Sequence, residues 1–436
     1  MIQATPRIKT IQRTVLTLLV LGGIINYVDR ATLAIANPLI RQDLGLSLAD
    51  MGLLLSAFLW AYAFFQLPAG ALIDRFGPRL MLTISLTLWS LAQVLGGFVT
   101  SFGTFFGARV LLGVGESPMY PTCARITRDW FNVHSRGSAT GIWNCSSTLG
   151  TAISAPLLTF LMLSLSWRWM FIIMGLVGIA LAVAFYVLHR DPGQVGLGAE
   201  EQAYLGEGDA GERARPVTWA DWRRLLEYRT TWGMIAGYFG TIYITWIYTA
   251  WLPGYLEIER HIDIKSTGWI AAVPFLFGVL GSVLGGRFAD FLVRRGVSPM
   301  NSRKLPMAGS LVLTALFTVL AAETASNVVS VACISASLFL VYSSSTTAWA
   351  MAPIAAPANA TASLGAMQNF GGYLGGALAP MVTGFIVQRS GSFEPAFLVA
   401  AAVAVAAATI YFLLVNAAIP PVEASPTREA AGLRPA

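Results

Sequence analysis

Two short stretches decide the fold of this chain: Gly70-Ala-Leu-Ile-Asp74-Arg75-Phe-Gly77-Pro-Arg79 and Gly286-Arg-Phe-Ala-Asp290-Phe-Leu-Val-Arg294-Arg295-Gly296. Each puts a glycine four residues before an aspartate and follows it with basic residues. Asp290 comes 216 residues after Asp74, half of the 436-residue chain. Both stretches close the second apolar run of their own half. Glycine lets neighbouring helices approach closely. The aspartate can cap a neighbouring helix N-terminus or pair with arginine across a gate at the membrane face. A single copy reads as an ordinary basic loop. Two copies at half-chain spacing predict a chain built from two related membrane halves.

The composition around these stretches agrees. Hydrophobic residues make up 56% and charged residues 11%, whereas a soluble domain carries about 25% charged residues. Mean hydropathy is +0.64. A soluble multidomain protein and a disordered chain are both excluded. Cys123, Cys145 and Cys333 have no CxxC spacing, which excludes a disulfide scaffold and a thiolate metal site. The net charge of +6 sits in short clusters between apolar runs. That is the pattern of membrane flanks, not of a nucleic-acid surface.

A spanning helix needs about 20 mostly apolar residues. Twelve stretches qualify, near 14–36, 51–73, 80–99, 103–124, 137–163, 168–188, 231–255, 266–286, 305–322, 328–350, 361–388 and 394–416. The first contains charges and has no cleavage-like boundary, so no signal peptide is expected. With the N-terminus placed in the cytoplasm, 21 of the 28 basic residues fall on inside loops, five fall outside, and Arg30 and Arg109 fall within spans. This asymmetry predicts both termini inside. The chain therefore divides into a six-helix bundle over 1–188, a cytoplasmic linker over 189–230, a second bundle over 231–419 and a disordered tail over 420–436. Trp219 to Leu226 is expected to form a short amphipathic helix on the membrane face.

A charge at the centre of a span costs about 2.5–3.5 kcal/mol on insertion scales, which marks it as functional. Span one reads Asn26-Tyr27-Val-Asp29-Arg30, and span four reads Arg109-Val-Leu-Leu-Gly113-Val-Gly115-Glu116-Ser-Pro-Met-Tyr120. The four ionisable groups are formally neutral together. Asn26, Tyr27 and Arg30 share one helix face, and Asp29 is rotated about 100° from Arg30 toward a neighbouring helix. Arg109 and Glu116 lie two turns apart on one stripe. The plainer reading is two structural ion pairs, Asp29–Arg109 among them, that lock spans one and four together. Apolar packing would serve a merely structural purpose better.

The loop after span two, repeated more weakly after span eight with Phe291 in place of an arginine, resembles the signature loop of the major facilitator superfamily. The words NYxDRxxL and RxxxGxGE resemble its anion:cation symporter branch. That branch includes bacterial carriers of hexuronates, galactonate, glucarate and tartrate, some aromatic-acid carriers, and animal sialin and vesicular glutamate transporters. Further matches are Asp191-Pro192 with Glu201 and Tyr204, Trp251-Leu252-Pro253-Gly254-Tyr255-Leu256, Gln368-Asn369-Phe370-Gly371-Gly372 and Gly391-Ser392-Phe393. The resemblance covers roughly 14–416.

The resemblance implies an all-α fold of twelve transmembrane helices in two pseudo-symmetric bundles. It implies import of a small organic anion by proton symport with alternating access. Arg30 would bind the substrate carboxylate with Tyr27 beside it. Asp29 and Glu116 would be the protonatable pair, and Arg109 would balance their charge. Tyr62, Asn144, Ser147 and Asn369 would reach the other oxygens. Gly70, Asp74, Arg75, Gly77, Arg79, Gly286 and Asp290 would form the cytoplasmic gate.

Span seven is unusually aromatic, and Tyr243, Trp246 and Phe239 either line a cavity or form a belt and packing. His134, His189 and His261 fall in loops or at span ends, and no GxSxG, HExxH or Walker loop is present. An enzyme or an ATP-driven pump is thereby excluded, and no cofactor or metal is expected. The expected partners are protons, a carboxylate substrate and the bilayer, for a functional monomer in the plasma (inner) membrane. An aromatic-acid or monocarboxylate carrier, a drug/proton antiporter and a membrane sensor of the same fold are the alternatives.

Overall fold

The computed structural model describes residues 3–207, 219–357 and 360–420. The tail from 421 and Asp209 of the linker lie outside the described residues. Among the described residues seventeen α-helices run in order: α1 Pro6–Leu44, α2 Leu48–Phe76, α3 Pro78–Gly96, α4 Phe102–Glu116, α5 Met119–Trp130, α6 Val133–Ser164, α7 Trp167–Leu188, α8 Ala199–Gly206, α9 Trp219–Leu225, α10 Arg229–Ile258, α11 Ile264–Ile270, α12 Ala272–Arg294, α13 Asn301–Glu323, α14 Asn327–Trp349, α15 Ala352–Ala355, α16 Thr361–Ser390 and α17 Glu394–Leu414. Among the described residues there is no strand.

Local chemistry sets the helix ends. Thr5 accepts a hydrogen bond from the Ile8 amide and Pro6 opens α1. Ser47 and Asp50 cap α2 reciprocally. Gly77, at φ +81°, ends α2 and begins α3 in one step. A side chain is strained there, so the signature loop carries glycine at this position.

Among the described residues ten helices are long and apolar enough to cross a membrane. Two further crossings complete the twelve. The seventh is α10, whose 30 residues suffice in length but include many Tyr, Trp, Thr and Gly. The fourth, expected to be continuous, is broken: α4 stops at Glu116 and α5 starts at Met119. Pro118 lies in the break, and its missing N–H removes a helix hydrogen bond. Leu91, Leu95, Phe160, Leu176, Val183, Leu280 and Leu413 are exposed on the outside of the bundle, as a lipid-facing surface requires.

The halves repeat one pairing scheme. In the first half α2 packs on α4, and α3 packs on α4 and α7; in the second α12 packs on α14, and α13 on α14 and α17. Between the halves α2 meets α16, α1 meets α10, and α6 meets α11 and α12. These junctions lie at the end away from the chain termini. There the Leu48 amide donates to Gln388 Oε1 at 3.0 Å. A Cβ on Gly52 would stand 2.7 Å from the Pro380 carbonyl oxygen, so α2 and α16 touch backbone to backbone. Among the described residues no hydrogen bond or ion pair joins the halves at the termini end. The space between them is sealed at the far end.

The start of the linker is docked on the first half. Glu201 pairs with Arg7 at 3.3 Å and accepts from Thr5 Oγ1 at 3.1 Å. Tyr204 is buried and accepts from Gln12 Nε2 at 3.3 Å. Where a short helix was expected over Trp219 to Leu226 stands α9, whose last residue, Leu225, is buried and leads into α10.

Candidate functional site

Midway along α1, α1 and α4 bring the four ionisable residues together, all buried. Arg30 Nε donates to Glu116 Oε2 at 2.8 Å. Three rings surround the same guanidinium: Tyr27 at 4.8 Å, Tyr62 at 4.9 Å and Phe58 at 5.1 Å from its carbon. Cation–π contacts of this kind are worth about 2 kcal/mol or more each when desolvated. Arg30 Nη2, Glu116 Oε1, Asn26 and the hydroxyls of Tyr62 and Tyr120 have no hydrogen-bond partner among the described residues. Buried donors and acceptors left in this state are costly unless something else engages them. The cage presents one guanidinium, one carboxylate and two phenols with bonding capacity to spare.

Arg109 is placed differently. Its Nε donates to the Leu54 carbonyl at 3.4 Å and its guanidinium lies 5.3 Å from the Phe58 ring. No ion pair closes between Arg109 and Asp29, contrary to the plainer sequence reading. The Asp29 carboxylate faces the field of Arg109 and Glu116 and the indole of Trp89. α1 and α4 run in opposite directions, so Glu116 comes level with Arg30 while Arg109 sits nearer the sealed end beside Leu54.

The second half supplies an uncharged wall. Tyr373 of α16 lies 4.9 Å from the Tyr62 ring, and Trp246 of α10 lies 6.3 Å from Phe58. Asn369 is half-buried one turn before Tyr373, beside a buried Gln368 whose amide has no partner among the described residues. Trp349 Nε1 donates to the Tyr238 hydroxyl at 2.7 Å, which also meets Ser345 Oγ at 3.4 Å. Other aromatic residues of α10 pack: Tyr248 bonds Thr318, Trp251 donates to the Pro380 carbonyl, and Tyr243 stacks on Phe239.

Asn144 is exposed on α6, and Ser147 donates its hydroxyl back to the Asn144 carbonyl at 2.8 Å. Phe58, Tyr373, Ser345 and Trp349 were not named from sequence, and Tyr120 and Tyr238 were given no place in the site. Their one sequence signal is helical spacing from a named residue: Phe58 four before Tyr62, Tyr373 four after Asn369, and Tyr120 four after Glu116.

In the signature loop, Arg79 donates to the Tyr186 carbonyl at 2.6 Å and to Gln194 Oε1 at 3.2 Å, and stacks 4.3 Å over the Tyr186 ring. It therefore ties the loop to the end of α7 within its own half. Arg75 is exposed over Phe76, Gly70 stands in open space, and the Asp74 side chain lies outside the described residues. In the second copy Gly286 packs on Thr346, and Asp290 pairs with Arg303 at 3.2 Å, again within one half. Among the described residues no three His, Cys, Asp or Glu gather as a metal site.

The chain matches the family described as Major Facilitator Superfamily over residues 19–380. It is 42% identical to the probable L-galactonate transporter of Escherichia coli strain K12 over 95% of this chain and 92% of that protein. It is 33% identical to the D-galactonate transporter of Escherichia coli O6:H1, over 92% of this chain and 95% of the other. Its fold is similar to the inward-facing, unoccupied crystal structure of a bacterial homologue of the human lysosomal transporter Spinster, with a TM-score of 0.79 at 17% identity, covering 95% and 98% of the two chains.

Proposed function

The chain belongs to the major facilitator superfamily, is a transporter and not an enzyme, and we propose that it imports a sugar acid by proton symport. We place it in the plasma (inner) membrane as a functional monomer with both termini in the cytoplasm. The observation that carries this reading is the Arg30–Glu116 pair inside its aromatic cage. A guanidinium fork suits a carboxylate, and here Glu116 already holds one arm of it. Glu116 and an incoming substrate carboxylate are competitors for Arg30. A proton on Glu116 removes the competitor, so proton loading and anion binding are coupled by charge balance. Asp29 is the second proton site, and Arg109 offsets both carboxylates. The uncharged wall of Tyr373, Asn369, Tyr238 and Trp349 suits the hydroxyls of a sugar acid, and the galactonate transporters among its relatives support that class.

In the transport cycle the seal around Gly52 and Gly384 parts to admit protons and anion from outside. The halves then rock to a form open toward the termini. Release follows deprotonation, as Glu116 returns to Arg30. The aromatic cage supports an aromatic acid as a second reading. Purified protein in proteoliposomes separates the two, with counterflow measured for aldonates, hexuronates, aldarates and aromatic acids. Glu116→Gln, which mimics the protonated form, should exchange labelled for unlabelled substrate yet fail to accumulate it under an inward proton gradient. If Glu116→Gln and Asp29→Asn both keep full pH-driven accumulation, proton coupling through these residues is wrong, and sodium coupling or facilitated diffusion replaces it.

A further inference from the structure

Behind Asp29 the polar chemistry continues into α3. Thr32, one turn beyond Asp29, donates to the Asp29 carbonyl at 2.7 Å and accepts from Gln93 Nε2 at 3.0 Å. α1 and α3 both run away from the termini end. One turn back from the Thr32–Gln93 contact on each helix lie Asp29 and Trp89. There the Trp89 indole faces the Asp29 carboxylate without closing a direct hydrogen bond. Neither carboxylate oxygen nor Trp89 Nε1 has another partner among the described residues, and both residues are fully buried. An indole N–H only donates, and Asp29 is the acceptor set before it. α3 is packed closely here: a Cβ on Gly115, next to Glu116, would lie 2.7 Å from the Trp89 backbone nitrogen, and one on Gly178 would lie in ordinary contact with Trp89 Nε1 at 3.8 Å.

We propose that Trp89 is a positioning residue for proton coupling: its N–H is the donor that Asp29 engages on losing its proton, so α3 sets how tightly Asp29 holds that proton. The proposal rests on Asp29 being a proton carrier. The charged groups that act on Asp29 are Arg109 and Glu116 on α4, with Arg30 next to it in α1; α3 and α7 bring only Arg79 and Arg168, at their first turns.

Trp89→Phe keeps an aromatic ring and removes the donor. The carboxylate is then less favoured, so the pH of half-maximal uptake should rise by about one unit, a tenfold change in proton affinity. On the Asp29→Asn background, Trp89→Phe should change nothing further. An unshifted profile, or a shift that persists without the Asp29 carboxyl, overturns the proposal. Full pH-driven accumulation by Asp29→Asn alone overturns the proton-carrier reading as well, which distinguishes the two failures. If Trp89→Phe does not fold, the infrared carboxyl band of Asp29, identified by its loss in Asp29→Asn, is titrated in detergent for the wild type and Trp89→Tyr. A midpoint that moves with the ring supports the role, and one that does not move overturns it.

Discussion

Arg30 is held by two kinds of contact at once, a charged hydrogen bond to Glu116 and the faces of three aromatic rings. Both use features that lysine lacks, a planar fork and a flat cation. Arg30→Lys keeps the charge and loses both, so apparent substrate affinity should fall at least tenfold, about 1.4 kcal/mol. Counterflow at varied substrate concentration measures it, and unchanged affinity in Arg30→Ala would remove the residue from the site. At this scale the sequence was informative about identity. A charge in an apolar span is expensive, so Asp29, Arg30, Arg109 and Glu116 stood out. It was uninformative about pairing. Asp29–Arg109 was one expected pair, yet Arg30–Glu116 is the contact that forms, because antiparallel α1 and α4 set the two charges level. Phe58 and Tyr373 are apolar or aromatic residues in apolar spans, and no cost marks them out.

At the scale of elements, the seal between α2 and α16 depends on backbone touching backbone. A side chain on Gly52 would meet the Pro380 oxygen at 2.7 Å and Gly384 Cα at 3.2 Å. Those atoms belong to helix backbone and cannot rotate aside. Gly52→Leu should therefore force α2 from α16 and favour the form open at the far end. Asn37, buried near Gly254 at that end, is the place to read it. In a background with Cys145, the exposed native cysteine, replaced by serine, Asn37→Cys should react with an impermeant maleimide from outside at least severalfold faster when Gly52→Leu is present. Equal rates would show that the seal does not rest on this contact. The signature loop teaches a related lesson. Its motif marks a gate by resemblance, but in this conformation Arg79 and Asp290 each bind within their own half.

For the whole molecule, the repeated helix pairing matches the repeated loop motif, and the halves meet at the end away from the termini. The proposed orientation rests on charge: the loops expected inside hold 21 of the 28 basic residues. Glu200 is exposed on α8, on the same side. Glu200→Cys in the cysteine-depleted background should be protected from impermeant reagent in intact cells and react in inverted vesicles. Labelling from outside intact cells would reverse the topology and, with it, the direction of the proposed proton flow.

By itself the sequence determined the solvent, the number of crossings, the duplication and the four buried charges, because these depend on residue types summed along one chain in a medium that penalises polarity. Apolar run length sets the spans, and half-chain spacing sets the repeat. Only the tertiary structure decided the break at Pro118, which end of the bundle is sealed, the Arg30–Glu116 contact and the position of Trp89 behind Asp29. Each of these depends on how helices far apart in the chain lie against one another. Lipid-facing and core positions are both apolar, so the residue pattern of a membrane helix records its neighbours only weakly.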